Sequence, residues 1–118
     1  MFFALHGENF DGNRFAIQAL KDGAAYAVVD NKEVIESAGE YAERLILVED
    51  TLTALQRLAA QHRNELAIPI IGIVGSNGKT TTKELVSRVL AEKFEVYATR
   101  GNLNNHIGVP LTILSMTR

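Results

Sequence analysis

The chain has 118 residues, about the length of one domain, of which 47% are hydrophobic and 22% are charged. It has no cysteine, which excludes a disulfide framework and a thiolate metal site and suits a reducing compartment. A net charge of −2 with scattered basic residues predicts no nucleic-acid partner, and no apolar run approaches the roughly 20 residues of a membrane-spanning helix. Because the start lacks the positive segment of a signal peptide, we predict a cytoplasmic protein without membrane insertion.

The first part of the chain alternates apolar runs, which predict strands, with patterns at helical spacing. The strands are predicted over residues 2–5, 26–29 and 45–48. The helical patterns begin near residues 15, 32 and 51. Residues 6–13 form a polar loop in this interpretation. Asp50 or Thr51 can cap the third helix, where His62 falls late and is expected to act as a C-terminal cap.

The helical pattern breaks around residues 64–69, where polar residues give way to a proline, and we place a domain boundary there. The predicted domains are residues 1–66 and 67–118. Beyond the boundary, an apolar strand over 70–74 leads into a glycine-rich turn, a helix over about 80–92 and a strand over 94–98. Such a β-loop-α-β unit pairs its strands in parallel. The predicted fold class is α/β: a small N-terminal α/β domain, then the start of a P-loop, parallel-sheet ATPase domain.

The glycine-rich turn has the composition of a phosphate-binding loop that opens a helix. Gly75 and Gly78 allow positive φ, and Lys79 can place its ammonium on the β- and γ-phosphates of ATP. The Thr80 hydroxyl can bind Mg²⁺. The predicted ATP contacts are Gly75, Ser76, Asn77, Gly78, Lys79, Thr80 and Thr81. Ile73 stands where the longer phosphate-loop pattern has its first glycine, so the turn is a shorter Gly-x-x-Gly-Lys-Thr form of that pattern. The alternative to a phosphate loop is a chance glycine turn before a helix.

Several segments carry a resemblance to one protein family. Residues 75–82 resemble the ATP loop of the Mur ligases, the ATP-dependent amide-forming enzymes of peptidoglycan precursor synthesis. Residues 99–112, which include Asn102, Asn104 and Asn105, resemble the members that add D-alanyl-D-alanine to UDP-N-acetylmuramoyl-tripeptide. The opening of the chain, residues 2–15, is similar to the uridine-side domain of the same enzymes, so that the resemblance covers nearly all of the sequence.

The resemblance implies a ligase that uses ATP and Mg²⁺ and acts, as a monomer when full length, on those two small-molecule substrates. In the family, ATP phosphorylates the terminal carboxylate of the muramyl peptide, and the amine of D-alanyl-D-alanine attacks the acyl phosphate. Lys79 is then catalytic, Thr80 is a metal ligand, and residues 1–66 form the uridine-side domain. Members run to several hundred residues in three domains, and an Asp-Ser-Arg segment precedes the position of Phe2. We therefore expect a fragment, incomplete at its start and inactive alone.

Alternatives remain at both the residue and the protein level. Asn102, Asn104 and Asn105 are predicted to lie near the substrate, but asparagines also form Asx turns in purely structural loops. Another Mur ligase that adds a different amino acid is the rival within the family. A non-catalytic P-loop nucleotide-binding module is the rival from another class, and a P-loop kinase or GTPase is disfavoured by the short loop.

Overall fold

The computed structural model describes residues 1–101 and 103–117. The chain forms two compact units, residues 1–55 and 56–118. The strands are β1 (Phe2–Phe3), β2 (His6–Gly7), β3 (Phe10–Asp11), β4 (Ala27–Val29) and β5 (Leu45–Leu47). The α-helices are α1 (Ala16–Lys21), α2 (Lys32–Glu36), α3 (Thr51–Leu66), α4 (Lys79–Ala91) and α5 (Gly108–Leu114). Two 3-10 helices, Gly12–Phe15 and Gly39–Arg44, complete the secondary structure of the described residues.

The first unit is built on a three-stranded parallel sheet in the order β1-β4-β5. Phe2 pairs with Ala27, and Ala27 pairs with Leu45, so β4 lies in the middle of the sheet. All three residues of β4 are buried, as expected of a central parallel strand covered on both faces. The α/β class and the three apolar strands predicted from the sequence are therefore confirmed in this unit, each strand shorter than predicted.

Small and branched apolar side chains fill the core of the first unit. The buried members are Ala4, Ala16, Leu20, Ala27, Val29, Ala38 and Leu45. Each fully buried Val or Leu contributes about 1.5–3 kcal/mol relative to an exposed one. The many alanines allow α1 to pack closely on the sheet. The segment predicted as a polar loop instead contains an antiparallel hairpin, in which β2 pairs with β3.

Helix α3 begins at the residue that its sequence predicts. The Asp50 carboxylate accepts hydrogen bonds from the Thr53 N–H at 2.9 Å and from the Thr53 hydroxyl at 2.6 Å, which is an N-cap. Thr51 is fully buried, and its hydroxyl donates to the Ala4 carbonyl oxygen at 2.8 Å. This bond fastens the start of α3 to the chain just beyond β1. None of the helices in the described part of the chain has the length and apolar character needed to cross a membrane.

In the second unit the predicted helix is present as α4, but the two predicted strands are wrong. Neither residues 70–74 nor residues 94–98 form a strand among the described residues. An apolar run favours an extended backbone, but a strand also requires a ladder of hydrogen bonds to a neighbour. Both segments line the same cavity and do not pair with each other, and Val74 is 93% exposed. Helix α5, which follows the asparagine-rich segment, was not predicted.

His62 does not cap α3, in contrast to the prediction. Its Nε2 atom lies 2.8 Å from the carbonyl oxygen of Met116, beyond α5. Gln56, also on α3, donates from Nε2 to the His106 carbonyl oxygen at 3.3 Å. Within the second unit, these two contacts hold residues that flank α5 against the part of α3 that belongs to this unit. The partners are 50 or more positions apart, so helical spacing alone could not reveal them.

Candidate phosphate-binding site

The phosphate loop lies at the start of α4, as predicted. Gly78 is the N-cap of this helix, with φ +76° and ψ 7°, a left-handed conformation that costs a residue with a Cβ atom about 1–2 kcal/mol. Gly78 has no side chain to cap the helix, so the helix relies on its backbone at this end. The N–H groups of a first helical turn and the positive end of the helix dipole attract anions. This geometry is suited to a phosphate group.

Lys79 is the first residue of α4, and its side chain turns back over the loop. Its ammonium donates to the Gly75 carbonyl oxygen at 2.5 Å, across four residues of the chain. The positive charge is thereby held above the same loop whose N–H groups favour an anion. Ser76, Asn77, Thr80 and Thr81 are exposed around it. The seven residues predicted to contact ATP are consecutive and form the turn and the start of α4. Their contact with ATP remains a prediction.

A cavity of about 440 Å³ within the second unit adjoins this helix start. Lys79, Thr80 and Lys83 line it from α4. Its other walls include both apolar extended segments and part of α5, and Asn104 also lines it. The cavity therefore brings one of the three predicted asparagines next to two predicted ATP-binding residues.

Asn105 has a different contact from Asn104. The Asn105 side-chain oxygen accepts hydrogen bonds from the N–H groups of Ile107 at 3.2 Å and Gly108 at 2.7 Å. It thus forms an Asx turn at the start of α5, which is the structural role that the sequence left open. Asn102 lies outside the described residues. A role near the substrate for any of the three remains a prediction.

Lys83 was missed by sequence reasoning. Its ammonium lies 2.6 Å from the Thr99 carbonyl oxygen and 3.2 Å from the Gly101 carbonyl oxygen. It follows Lys79 by four residues, and this spacing places both lysines on one face of a helix. That spacing is the signal that could have identified Lys83 as part of the site.

A second polar cluster lies in the first unit, at the ends of the sheet strands. The His6 Nε2 atom lies 2.8 and 2.9 Å from the two carboxylate oxygens of Asp30, and Asn13 donates to the same carboxylate at 2.8 Å. The hydrogen bond with Asp30 raises the pKa of His6. Burial raises the pKa of Asp30, but the hydrogen bonds from Asn13 and His6 outweigh it and leave this pKa below its usual value. The cluster fastens the β2–β3 hairpin to the end of β4.

The pKa of two further carboxyl groups is also lowered. Backbone and side-chain hydrogen bonds from Asn13 lower the pKa of Asp11. The side-chain and backbone hydrogen bonds of Thr53 lower the pKa of Asp50 at the N-cap of α3. Both effects stabilise the ionised carboxylate, so these groups are structural caps in the ionised state.

Comparison with protein families identifies the chain. The model of the Mur ligase family, catalytic domain, matches residues 1–63, which is more than half of the sequence. The chain belongs to the Mur ligase family. The model of the Mur ligase middle domain matches residues 73–118, which include the phosphate loop. The resemblance carried by the loop and by the asparagine-rich segment is thus confirmed at the level of the family.

Curated relatives of this Mur ligase chain include two with high identity. The UDP-N-acetylmuramoyl-tripeptide–D-alanyl-D-alanine ligase of Bacillus subtilis (strain 168) is 49% identical over 116 residues, covering 98% of this chain and 25% of that protein. The protein of the same name from Synechocystis sp. is 50% identical over 117 residues, covering 99% of this chain and 25% of its own length. The chain therefore spans about a quarter of the length of these relatives.

Solved structures show the same family fold. A MurF ligase from Thermotoga maritima in complex with ADP has a TM-score of 0.83 and 35% identity, over 98% of this chain and 26% of that one. MurF from Acinetobacter baumannii has a TM-score of 0.84 and 36% identity, over 97% of this chain and 24% of that one. The α/β fold of this Mur ligase chain is thus shared with experimentally determined members.

Proposed function

We propose that this chain supplies the ATP-phosphate-binding part of a ligase that joins D-alanyl-D-alanine to UDP-N-acetylmuramoyl-tripeptide. The observation that carries the proposal is the phosphate loop at the start of α4, with the Lys79 ammonium held over it, in a chain of which 98% aligns with a relative of that name. The full-length protein acts in the cytoplasm on small molecules, as a monomer. The domain boundary near residue 66 belongs to the same proposal.

The reaction requires a carboxylate to become an electrophile. Transfer of the γ-phosphoryl group from ATP to the terminal carboxylate of the muramyl peptide gives an acyl phosphate. The amine of D-alanyl-D-alanine then attacks the carbonyl carbon, loses a proton, and inorganic phosphate leaves as the C–O bond breaks. The first step places negative charge on the transferring phosphoryl oxygens, and the second places it on the carbonyl oxygen of the tetrahedral intermediate. Fixed cations and backbone N–H groups stabilise both charges.

The residues of the loop fit the triphosphate end of ATP. Gly78 reaches the left-handed conformation that lets the backbone curl at the start of α4. In this proposal the N–H groups of that turn bind the β-phosphate, and Lys79 exchanges the Gly75 carbonyl oxygen for β- and γ-phosphate oxygens. These contacts bind and orient the transferring group.

Thr80 is proposed as a protein ligand of Mg²⁺ through its hydroxyl oxygen. It follows Lys79 directly and lines the same cavity, and Mg²⁺ in such sites takes few protein ligands because it keeps several waters and phosphate oxygens. When bound with ATP, the ion neutralises charge on the β- and γ-phosphates. Asn104, on another wall of that cavity, is proposed to donate a hydrogen bond to a substrate oxygen.

The decisive test measures phosphate release by the full-length protein with Mg²⁺ and ATP. We expect release to require both UDP-N-acetylmuramoyl-tripeptide and D-alanyl-D-alanine, with one phosphate formed per amide bond. Replacing D-alanyl-D-alanine by L-alanine, D-glutamate or L-lysine, each with its own UDP-muramyl acceptor, is the matched control. Release that follows one of these substitutes would assign another Mur ligase activity. Nucleotide binding without release under any combination would indicate a non-catalytic module.

A further inference from the structure

Lys83 makes contacts that no role in phosphate binding requires. Its ammonium has three donors, and three oxygens lie near it: the carbonyls of Thr99 and Gly101 at 2.6 and 3.2 Å, and the Glu84 carboxylate at 3.3 Å. Only 14% of the side chain is exposed, whereas Glu84 is 57% exposed. Thr99 is half-buried, whereas Gly101 and Glu84 are exposed, so the Thr99 carbonyl is the best shielded partner. Both carbonyls belong to the chain that leads into the asparagine-rich segment.

The segment 99–105 is also held at its other end. Asn105 accepts hydrogen bonds from two N–H groups at the start of α5. A Cβ atom on Gly108 would lie 2.7 Å from the Leu103 carbonyl oxygen, so α5 begins in direct contact with the segment. The described residues of this segment are therefore held at one end by Lys83 of α4 and at the other end by the start of α5. The contact with Lys83 joins the segment to α4, the helix that carries the phosphate loop.

We propose that Lys83 is a positioning residue that fastens the segment 99–105 to the phosphate-loop helix. Through this contact the cavity-lining Asn104 keeps a constant place relative to Lys79 and Thr80. The functional part of this inference rests on the proposed ligase activity, whereas the fastening itself does not. An ammonium suits this task because it can donate to two carbonyls at once while its apolar stem lies along the helix.

The fastening is tested by trypsin digestion of the full-length protein, because Arg100 lies between the two carbonyls that Lys83 holds. Lys83→Met keeps the length of the stem and removes all three donors. We expect cleavage after Arg100 to become about tenfold faster, since at least one charge-assisted hydrogen bond is lost. Lys83→Arg should restore most of the protection. Lys93→Met, a change of an exposed lysine just beyond α4, should leave the cleavage rate at that of the parent protein.

The functional consequence is tested by steady-state kinetics on the same variants. Lys83→Met should lower kcat at least about tenfold and raise the KM for the muramyl substrate, because a misplaced substrate contact slows the chemistry. The KM for ATP should stay within twofold, and Lys83→Arg should recover much of the loss. A purely structural lysine would lower thermal stability without this separation of the two KM values.

The outcomes separate this inference from the proposed function. Equal cleavage after Arg100 in Lys83→Met and the parent would overturn the fastening, whatever the enzyme does. Faster cleavage with unchanged kcat and KM would overturn the positioning role. If the parent itself releases phosphate without needing both substrates, the proposed function fails, and the digestion alone then decides whether Lys83 fastens the segment.

Discussion

The Lys79 ammonium donates to a carbonyl of its own loop, and the side chain is only partly buried. Its replacement should therefore cost catalysis far more than stability. Lys79→Ala should lower kcat about 100-fold or more, because a fixed cation no longer stabilises the transferring phosphoryl group. The thermal midpoint should move by less than about 2 °C, as for other changes outside the core. Phosphate release and thermal unfolding of the full-length protein measure the two effects.

The control for Lys79 is a nearby position in the same loop, Asn77. Asn77→Ala leaves the charge of the loop unchanged and should reduce kcat much less than Lys79→Ala. Equal losses in the two variants would mean that the loop matters through its shape and not through the ammonium of Lys79. Near-normal turnover in Lys79→Ala would remove this residue from the proposed mechanism.

The contact between His6 and Asp30 predicts a pH dependence of stability in the first unit. The pKa of His6 is raised in the folded state, so its contribution is fully present below the ordinary histidine value of about 6.5. This contribution is lost as the pH rises through the raised pKa. The pKa of Asp30 is lowered, so its contribution is lost in acid, as the pH falls through the lowered value. The free energy of unfolding should therefore be greatest at pH values above the titration of Asp30 and below that of His6.

Urea unfolding at several pH values tests this prediction. The urea midpoint of the parent protein should fall as the pH rises above about 6.5 and through the raised pKa of His6, where the imidazole loses its charge. His6→Gln keeps a hydrogen-bond donor for Asp30 without a titrating group, and its midpoint should be flat over the same range. An identical slope in the variant and the parent would assign the dependence to other groups.

The sequence predicted residue roles where they depend on local spacing. The left-handed Gly78 and the helix start at Lys79 were predicted because a phosphate loop has a fixed order of residues, while their contact with ATP stays a prediction. Asp50 was predicted because an N-cap lies next to its helix. Lys83 was missed because its carbonyl partners lie 16 and 18 residues away, in a segment without regular structure. The His6 contact with Asp30, 24 residues away, was missed for the same reason.

Helix α5 is preceded by two neighbouring asparagines, one with an observed structural contact and one with a proposed substrate contact. Asn105 caps the start of this helix, so Asn105→Ala should destabilise the second unit by about 1 kcal/mol. Hydrogen exchange at the Ile107 and Gly108 amides should accelerate, since both donate to the lost oxygen. The exchange rates of these two amides and the urea midpoint measure the loss of the Asn105 hydrogen bonds.

Asn104→Ala is the matched comparison for that change. Asn104 lines the cavity beside Lys79, so its replacement should leave stability nearly unchanged and raise the KM for the muramyl substrate several-fold. If Asn104→Ala affects only stability, or Asn105→Ala only the KM, the assigned roles are reversed. Both variants conserve the length of the loop and change one amide each.

At the scale of helices and strands, the sequence predicted the elements that a local residue pattern is enough to determine. The three strands of the first unit were found as continuous apolar runs, and α1, α3 and α4 as helical patterns. The strands over 70–74 and 94–98 were predicted from equally apolar runs, yet they lack a hydrogen-bonded neighbour among the described residues. Pairing depends on distant parts of a chain, so a run of apolar residues determines the preference for a strand but not its formation.

At the scale of the whole molecule, the two units carry different parts of a Mur ligase. The family models match residues 1–63 and residues 73–118 separately, and the phosphate loop and the asparagine-rich segment both lie in the second match. The relatives are about four times as long as this chain, since it covers 25% of each. The proposed activity must therefore be measured on the full-length protein.

The most direct test of a carboxylate-activating phosphate site follows an oxygen atom through the reaction. The full-length protein is given Mg²⁺, ATP, D-alanyl-D-alanine and UDP-N-acetylmuramoyl-tripeptide labelled with ¹⁸O in both oxygens of its terminal carboxylate. One labelled oxygen should appear in the released phosphate, because the carboxylate oxygen that accepts the phosphoryl group leaves with it. Mass spectrometry of the phosphate shows the result. Phosphate that carries no label while the amide forms would contradict phosphorylation of the carboxylate.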